Sequence, residues 1–275
     1  MKKLLSLILT AILCLSVMVG ATAQEALSGS IATDGSTSME KVIGILSEQF
    51  MIDNPDVAIT YNATGSGTGV AAALNGTADI GLASRALKEE EVAQGLKSIV
   101  VALDGIAIIV NEKCPVDNLT LQEVADIFTG KITSWKDFGG EGDIACIGRE
   151  AGSGTRDGFE SITKTKDANK LVQELTSTGA VITAVASNAS GIGYASSSAV
   201  EGQEGIKVLT IDGVECTEEN IANGSYLIQR PFNLVVKEGA ELPKQVQAFI
   251  DFMLSEEAAP LVAKAGAVPP AQPEK

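Results

Sequence analysis

The amino-acid sequence predicts an α/β protein, because short apolar segments alternate with amphipathic segments along most of the chain. Its 275 residues are 45% hydrophobic, which is enough to form the cores of one large domain or of two domains of ordinary size. No internal repeat and no long low-complexity segment interrupts the alternation. Strands covered by helices are the expected result.

Short segments rich in β-branched residues predict the strands. They are residues 30–33, 57–61, 78–83, 99–103, 106–110, 144–147, 191–195, 207–211 and 233–237. The segments near 99–110 and 226–237 contain no sharp turn signal apart from Gly105. This continuity favours two places at which the chain passes between domains.

Apolar residues at helical spacing predict helices between these strands. The sets are Met39, Val42, Ile43, Leu46 and Phe50, and later Val246, Phe249, Ile250 and Met253. Thr120 and Glu123 have the spacing of a capping box, which predicts a helix start ahead of residues 124–128. The helical pattern continues over residues 256–266 near the end of the chain.

The first residues have the features of an export signal, and residues 1–23 are predicted to be a cleavable signal peptide. Lys2 and Lys3 precede an apolar run, and small residues at 21–23 form the cleavage site. A membrane helix is the competing interpretation, but the run is short and two serines interrupt it. Cys14 does not follow a small residue, so a soluble exported protein is favoured over a lipoprotein. The expected location is extracytoplasmic, either periplasmic or secreted.

Composition disfavours several functional classes. The formal net charge of −15 disfavours a nucleic-acid partner. The chain contains no histidine, which removes the general base of triad hydrolases and the commonest metal ligand. Cys114, Cys146 and Cys216 match no metal motif, and they form at most one disulfide or else remain small buried thiols. We therefore expect neither a metal nor a cofactor.

Three clusters of glycine, serine and threonine each lie after a predicted strand and before a predicted helix. They are residues 34–39, 63–70 and 149–159, the last with the sequence REAGSGTRDGF. A helix N-terminus offers unpaired N–H groups and about half a positive charge, so it attracts anions. A single cluster is more often only a loop and a helix cap. Three of them in one chain, one bracketed by Arg149 and Arg156, favour a site for a small tetrahedral oxyanion.

Two S-x-x-K matches offer a rival, enzymatic interpretation. Residues 38–41 and 161–164 match a signature of penicillin-interacting serine enzymes, which act on the cell wall. About one such match is expected by chance in a chain this rich in serine and lysine. Neither S-D-N nor K-T-G occurs in the chain, so we expect a binding protein and not an enzyme.

Eight segments follow, in order, the pattern of a known family. They are GSTSM, YNATGSGTGV, ADIGLASR, DGIAIIVN, REAGSGTRDGFE, GIGYAS, RPFNLVVK and FMLSEEAAPLVAKAGAVP. In these segments the chain resembles the extracytoplasmic phosphate-binding proteins of phosphate ABC importers. The resemblance spans nearly the whole mature chain, and REAGSGTRDGFE is its most specific part.

The resemblance implies a two-lobed periplasmic-binding-protein fold of type II, the Venus flytrap, with two crossings between lobes. Lobe 1 would comprise residues 25–104 and 230–275, and lobe 2 residues 105–229. Inorganic phosphate would bind in the cleft, and closure around it would present a surface to the membrane permease of an ABC importer. We expect a monomer that needs no cofactor and binds no nucleic acid.

The resemblance also implies the ligand contacts. Carried over position by position, they are Thr37, Ser38, Ser66, Ser84, Arg149, Ser153, Gly154 and Thr155. Arg149 would supply charge and two-pronged donation, and the hydroxyls and loop N–H groups would supply the remaining hydrogen bonds.

Ser84 departs from one branch of the family, in which an aspartate accepts the proton of hydrogen phosphate and so rejects sulfate. A serine hydroxyl can accept as well as donate, so phosphate is still compatible, but a receptor for a sulfate-like oxyanion stays an alternative. Asp34 and Asp104 are the nearest other acceptors by sequence, although Asp104 also fits a turn before Gly105. Arg85 is either a second cationic contact or a structural ion-pair partner.

Overall fold

The computed structural model describes residues 26–270, and the predicted signal peptide lies outside them. The strands are β1 (Gly29–Gly35), β2 (Val57–Ala63), β3 (Ile80–Ala83), β4 (Leu96–Asn111), β5 (Asn118–Leu119), β6 (Ala145–Arg149), β7 (Gln173–Leu175), β8 (Gly191–Ser196), β9 (Ile206–Val208), β10 (Thr210–Ile211) and β11 (Gln229–Lys237). The helices are α1 (Glu40–Asp53), α2 (Ser66–Asn75), α3 (Glu89–Ala93), α4 (Leu121–Phe128), α5 (Gly154–Thr163), α6 (Thr178–Ala186), α7 (Ser197–Val200), α8 (Glu218–Ala222), α9 (Lys244–Met253) and α10 (Ala259–Lys264). Short 3-10 helices cover Thr37–Met39 and Trp135–Phe138.

The predicted helix faces are the buried faces. Each apolar set predicted for α1 and α9 is buried, and the two helices meet where the rings of Phe50 and Phe249 lie 5.1 Å apart. The predicted capping box starts α4, because Thr120 Oγ1 accepts from Glu123 N at 3.1 Å and Glu123 accepts from Thr120 N at 2.7 Å. No helix within residues 26–270 is long and apolar enough to span a bilayer.

One continuous sheet runs through the molecule in the order β2-β1-β3-β11-β4-β8-β6-β7, with β9 beside β4. At one end β1 is parallel to β2 and β3, and at the other β6 is parallel to β7 and β8. The two ends are joined through β4 and β11, which are antiparallel to each other. These two strands carry the chain between the halves of the molecule.

The buried apolar residues form separate cores on the two sides of this junction. The largest core on one side uses residues 31–102 and 232–267. The cores on the other side use residues 106–228 together with Val268. The protein is therefore two-lobed, and the predicted α/β fold with two crossings is confirmed. We propose the predicted lobe boundaries, at 104/105 and 229/230, because β4 changes its pairing partner from β11 to β8 after Gly105.

The segments predicted as strands at 99–103 and 106–110 form a single strand, β4, of 16 residues. Gly105 lies inside this strand and makes no turn there. Its lack of a side chain leaves room for neighbours, because a Cβ at Gly105 would lie 2.6 Å from Cys216 Sγ and 2.8 Å from Ile221 Cδ1. Asp104 is consequently a buried strand residue, and the turn assignment is wrong.

Candidate functional site

The three loops rich in glycine, serine and threonine meet where the two lobes touch. They follow β1, β2 and β6. The parallel strands β1 and β2 end at one edge of the sheet in one lobe, whereas β6 lies in the other lobe and runs in the opposite direction, so its carboxyl end faces theirs across the cleft. The first turn of α2 contacts the loop before α5, because Gly67 N donates to Gly152 O at 2.9 Å. The structure thus brings the three predicted clusters together across the cleft.

Four buried hydroxyls lie at the centre of this contact, and Thr37, Ser38, Thr155 and Thr178 are called the hydroxyl cluster below. Ser38 Oγ lies 2.7 Å from Thr155 Oγ1 and 3.0 Å from Thr178 Oγ1. Thr37 Oγ1 lies 3.1 Å from Thr178 Oγ1 and accepts from Thr178 N at 3.2 Å. Thr37 and Ser38 belong to one lobe, and Thr155 and Thr178 belong to the other. The hydroxyl cluster therefore bridges the cleft.

Arg149 contacts the hydroxyl cluster and is only 2% exposed. Its Nη1 donates to Thr37 Oγ1 at 3.0 Å and to Thr178 Oγ1 at 3.2 Å. Its Nε and Nη2 donate to the two carboxylate oxygens of Glu150 at 3.0 and 2.9 Å. The two-pronged donation that was predicted to reach a ligand is therefore made to Glu150, through Nε and Nη2. Only Nη1 of the guanidinium contacts the hydroxyls.

Ser66 and Ser84 lie in the same lobe and together form a second contact with the other lobe, at Gly154. Ser66 begins α2, and its Oγ accepts from Ser84 N at 3.0 Å and lies 3.3 Å from Ser84 Oγ. Gly154 packs directly against the pair, because a Cβ there would lie 2.7 Å from Ser84 Oγ and 3.0 Å from Ser66 Cβ, with Ser66 Oγ closer still. The absence of a side chain at Gly154 is what allows the lobes to approach this closely.

Ser153 is the N-cap of α5 and is 1% exposed. Its hydroxyl accepts from Arg156 N at 3.4 Å, so the structure gives it a capping role. The cap positions the start of α5, whose first N–H groups have no acceptor within the helix. These N–H groups belong to Gly154 and Thr155, which face the other lobe through the contacts above.

Two residues that sequence reasoning missed, Thr178 and Arg230, belong to this site. Thr178 begins α6, after the cluster Thr176–Ser177–Thr178–Gly179, and this fourth cluster between a strand and a helix could have been found by the same rule. Arg230 lies in β11 and is 4% exposed, and its Nη2 donates to Thr155 Oγ1 at 3.0 Å. Burial lowers the pKa of Arg230 and nearby Arg149 acts in the same direction, while Asp104 opposes both.

Asp34 and Asp104, the two carboxylates considered as acceptors of the phosphate proton, already have hydrogen-bond partners within the protein. Asp104 is fully buried, where it pairs with Arg230 and accepts from Ser196 Oγ at 2.7 Å. Asp34 accepts a hydrogen bond from Thr64. Within residues 26–270, no hydrogen bond of the hydroxyl cluster involves either carboxylate. The hydroxyls of Ser66, Ser84 and the cluster can accept hydrogen bonds as well as donate them.

Arg85 is an ion-pair partner and not a contact of the hydroxyl cluster. It donates to Glu91 through Nη1 at 2.8 Å and Nη2 at 2.7 Å. Its Nε lies 2.9 Å from Asp157 Oδ2, in the other lobe, but the two atoms are not aligned for a hydrogen bond. This contact is therefore electrostatic. Burial opposes the charge on Arg85, but the Glu91 contacts outweigh it and raise the pKa of Arg85.

Within residues 26–270, the cysteines and acidic residues are not arranged as a metal site. Cys114, Cys146 and Cys216 are free thiols, and burial raises the pKa of Cys146 and Cys216 to about 12. Among the described residues, no group of cysteine and acidic side chains is arranged to hold a metal ion. The chemistry of the site is therefore hydrogen-bond donation from hydroxyls, helix N–H groups and arginines, which suits an anion rich in oxygen.

Comparison with known proteins also indicates an anion-binding protein. Residues 20–257 match the PBP superfamily domain. The phosphate-binding protein PstS of Bacillus subtilis is 32% identical over 243 residues, which cover 86% of this chain and 79% of the relative. A putative phosphate ABC transporter substrate-binding protein from Clostridium perfringens, solved with bound phosphate, superimposes with a TM-score of 0.85 at 40% identity, covering 88% of this chain and all of that one.

A second solved structure extends the likeness. An ABC-type phosphate transport receptor from Vibrio cholerae superimposes with a TM-score of 0.72 at 32% identity, covering 87% of this chain and 100% of the receptor. Both the sequence relative and the solved structures are matched over most of their length, so the likeness is not confined to one lobe or to one motif. The chain belongs to the PBP superfamily and, within it, to the family of the phosphate-binding proteins PstS.

Proposed function

We propose that this protein captures inorganic phosphate between its two lobes and delivers it to an ABC importer. The observation that carries the proposal is the hydroxyl cluster, which joins both lobes and is contacted by two buried arginines, Arg149 and Arg230. Such an arrangement gathers many hydrogen-bond donors from both lobes at one place, which suits a small anion rich in oxygen. The ligand contacts would be the predicted ones, Thr37, Ser38, Ser66, Ser84, Arg149, Ser153, Gly154 and Thr155, together with Thr178.

A binding role fits the surroundings of Ser38 better than catalysis. The lysine of the S-x-x-K match, Lys41, has its Nζ 2.7 Å from Glu201 Oε2, across the cleft. Its ammonium group is therefore engaged away from the Ser38 hydroxyl, which instead contacts Thr155 and Thr178. A nucleophilic serine needs a neighbouring base. The relatives are named as phosphate-binding proteins and receptors, and the protein is not an enzyme.

The transport role sets the partners and the location. The lobes would close around phosphate and the closed form would be recognised by a membrane permease, since hinge closure changes the surface that both lobes share. We propose an extracytoplasmic location, after removal of residues 1–23, and a monomer that does not bind nucleic acid. The formal net charge of −15 agrees with the last point, because a nucleic acid would be repelled.

Calorimetric titration of phosphate-stripped mature protein with phosphate tests the proposal. We expect saturable binding of one phosphate per chain, and no binding would overturn it. The chain has no histidine, so it lacks the side chain that normally titrates between about pH 5 and 8. The change in affinity across that range should therefore follow the ionisation of phosphate itself.

Sulfate, titrated under the same conditions, tests selectivity. Asp34 and Asp104 are both engaged with other partners, so we expect sulfate to compete measurably with phosphate. A protein that binds phosphate tightly and ignores sulfate would have a proton acceptor other than these two carboxylates. A protein that prefers sulfate would be the alternative receptor for a sulfate-like oxyanion.

The contact between Arg85 and Asp157 should favour the closed form. Asp157→Asn removes this contact between the lobes but leaves Arg85 paired with Glu91, so no buried charge is left alone. We expect phosphate affinity to fall by up to about fivefold, because a partly exposed ion pair contributes about 1 kcal/mol or less. Stopped-flow measurements should assign the loss to faster release, with a smaller effect at high salt.

Glu174→Gln is the matched control for this prediction. It removes an equal charge from a pair within one lobe, between Arg156 and Glu174, whose atoms lie 2.8 Å apart. Its phosphate affinity should stay unchanged. Equal losses in the two variants would show that the effect of Asp157→Asn does not come from the contact between the lobes.

A further inference from the structure

Arg230 lies where β11 crosses between the lobes and is held more firmly than a surface arginine. It is opposite Asp104 in the register of β4 and β11, and its Nη1 pairs with that carboxylate. Its guanidinium carbon lies 5.1 Å from the centre of the Phe232 ring. Gly158 gives it room, because a Cβ at that position would lie 3.2 Å from Arg230 Cδ.

Asp104 is itself fixed by neighbours in the other lobe. Its Oδ1 accepts from Ser196 Oγ at 2.7 Å, from Ser197 Oγ at 3.1 Å and from Ser198 N at 3.2 Å. Both oxygens of Asp104 are therefore engaged, and the carboxylate cannot turn without losing hydrogen bonds. The orientation of Arg230 follows from this anchoring, and its Nη2 is left to donate to Thr155.

We propose that Arg230 is a positioning residue of the anion site, acting through the hydroxyl of Thr155. The proposal rests on the proposed function, because Thr155 is one of the ligand contacts. A guanidinium has hydrogens but no lone pair, so the Thr155 oxygen must accept from Arg230. Its own hydrogen is then turned away from Arg230, towards the interior of the hydroxyl cluster.

The hydrogens of the cluster can be followed from its other end. Thr37 Oγ1 accepts from Arg149 Nη1 and from Thr178 N, so the partner in the cluster for its hydrogen is Thr178 Oγ1. Thr178 Oγ1 also accepts from Arg149, and its hydrogen is directed to Ser38 Oγ. An arginine therefore stands at each end of the cluster, and both arginines force the hydroxyls to point inwards as donors.

One hydroxyl hydrogen is left over at the centre. Ser38 and Thr155 share one contact, of 2.7 Å, but each brings a hydrogen, and only one of these can lie between the two oxygens. The other is available to an anion. Arg230 makes this arrangement stronger, because it occupies a lone pair of Thr155 and polarises the hydroxyl as a donor.

A double-mutant cycle of Arg230→Lys with Thr155→Val tests the link. Lysine keeps a cation beside Asp104 but lacks the planar fork that reaches Asp104 and Thr155 together. In the Thr155 background we expect Arg230→Lys to weaken phosphate binding by about tenfold, the effect of one charge-assisted hydrogen bond. In the Thr155→Val background it should change the affinity by less than about twofold, because the hydroxyl through which Arg230 acts is gone.

Unfolding temperatures, measured for all four proteins without ligand, separate positioning from stability. The proposal is supported if the four unfolding temperatures are similar and Arg230→Lys weakens phosphate binding only when Thr155 is present. Equal losses of affinity in both backgrounds, or no loss in either, overturn it. If Arg230→Lys does not fold, the pair Arg230→Gln and Asp104→Asn replaces it, because this pair removes both charges and leaves the net charge unchanged. The same criteria then apply.

Failure of the proposed function has a different signature. If the unsubstituted protein does not bind phosphate, that function is wrong, and the cycle is measured with sulfate instead. Coupling between Arg230 and Thr155 in sulfate binding would then support the positioning role in a site for another oxyanion. Uncoupled effects on sulfate, or no binding of sulfate either, would overturn this proposal as well.

Discussion

Arg149→Ala should weaken phosphate binding by about 2–5 kcal/mol, because it leaves a buried anion short of a charged partner. Arg149 is 2% exposed, so water does not readily replace its guanidinium. The substitution also releases Glu150, whose carboxylate is now paired with Arg149, and so leaves a negative charge beside the anion. Calorimetric titration of phosphate-stripped protein measures the loss.

Arg156→Ala is the matched control, since it removes the same charge from the same segment, residues 149–159. Arg156 pairs with Glu160 and Glu174 and, although its Nη1 donates to the Arg149 carbonyl, it makes no hydrogen bond to the hydroxyl cluster. Its loss should change phosphate affinity by less than about 1 kcal/mol. An unchanged affinity in Arg149→Ala would remove the third loop from the site, and equal losses in the two variants would point to overall charge.

The two buried arginines of the site explain how a protein of formal net charge −15 can attract an anion. At long range the chain repels phosphate, and salt screens that repulsion. Within the cleft, Arg149 and Arg230 are both buried, and their donors reach the same hydroxyl cluster. Interactions at short range in a medium of low dielectric outweigh the distant acidic residues. Attraction is therefore confined to the site.

The loops of the site could be predicted from the sequence because each carries a local signal. A strand, a run of small hydroxyl residues and a helix follow each other within a few residues, as at 149–159. Thr178 was missed although its cluster has the same pattern. The reason is the strand before it, β7, whose three residues include Gln173 and Glu174 and so lack an apolar signal.

Arg230 could not be predicted from local pattern. It lies within a strand, and its role depends on Asp104, which is its neighbour only once β11 and β4 are paired. The continuity of β4 is a similar case. In the sequence Gly105 indicates a turn. In the structure Cys216 and Ile221, which are distant along the chain, pack where a side chain at residue 105 would lie. Contacts between distant segments decide both features.

Gly154→Ala should weaken phosphate binding by about 1–3 kcal/mol, the usual cost of overpacking a close contact. The added methyl group would meet Ser66 and Ser84, which belong to the other lobe, so the clash arises only when the lobes close. Within α5 itself alanine is a better helix former than glycine, so the unliganded protein should be no less stable. Titration with phosphate measures the affinity, and small-angle X-ray scattering measures whether phosphate still makes the molecule more compact.

Gly179→Ala is the matched control, because Gly179 also lies in the first turn of a helix, α6, and a Cβ there would meet no atom within 4 Å. It should bind phosphate and become compact like the unsubstituted protein. If Gly154→Ala does the same, the lobes of the liganded protein do not approach each other at Gly154, Ser66 and Ser84 as they do here. If Gly154→Ala does not become compact with phosphate while Gly179→Ala does, phosphate capture requires that residue 154 has no side chain. The substitution leaves every hydrogen-bond donor of the site in place, so the distance between the lobes would then limit binding.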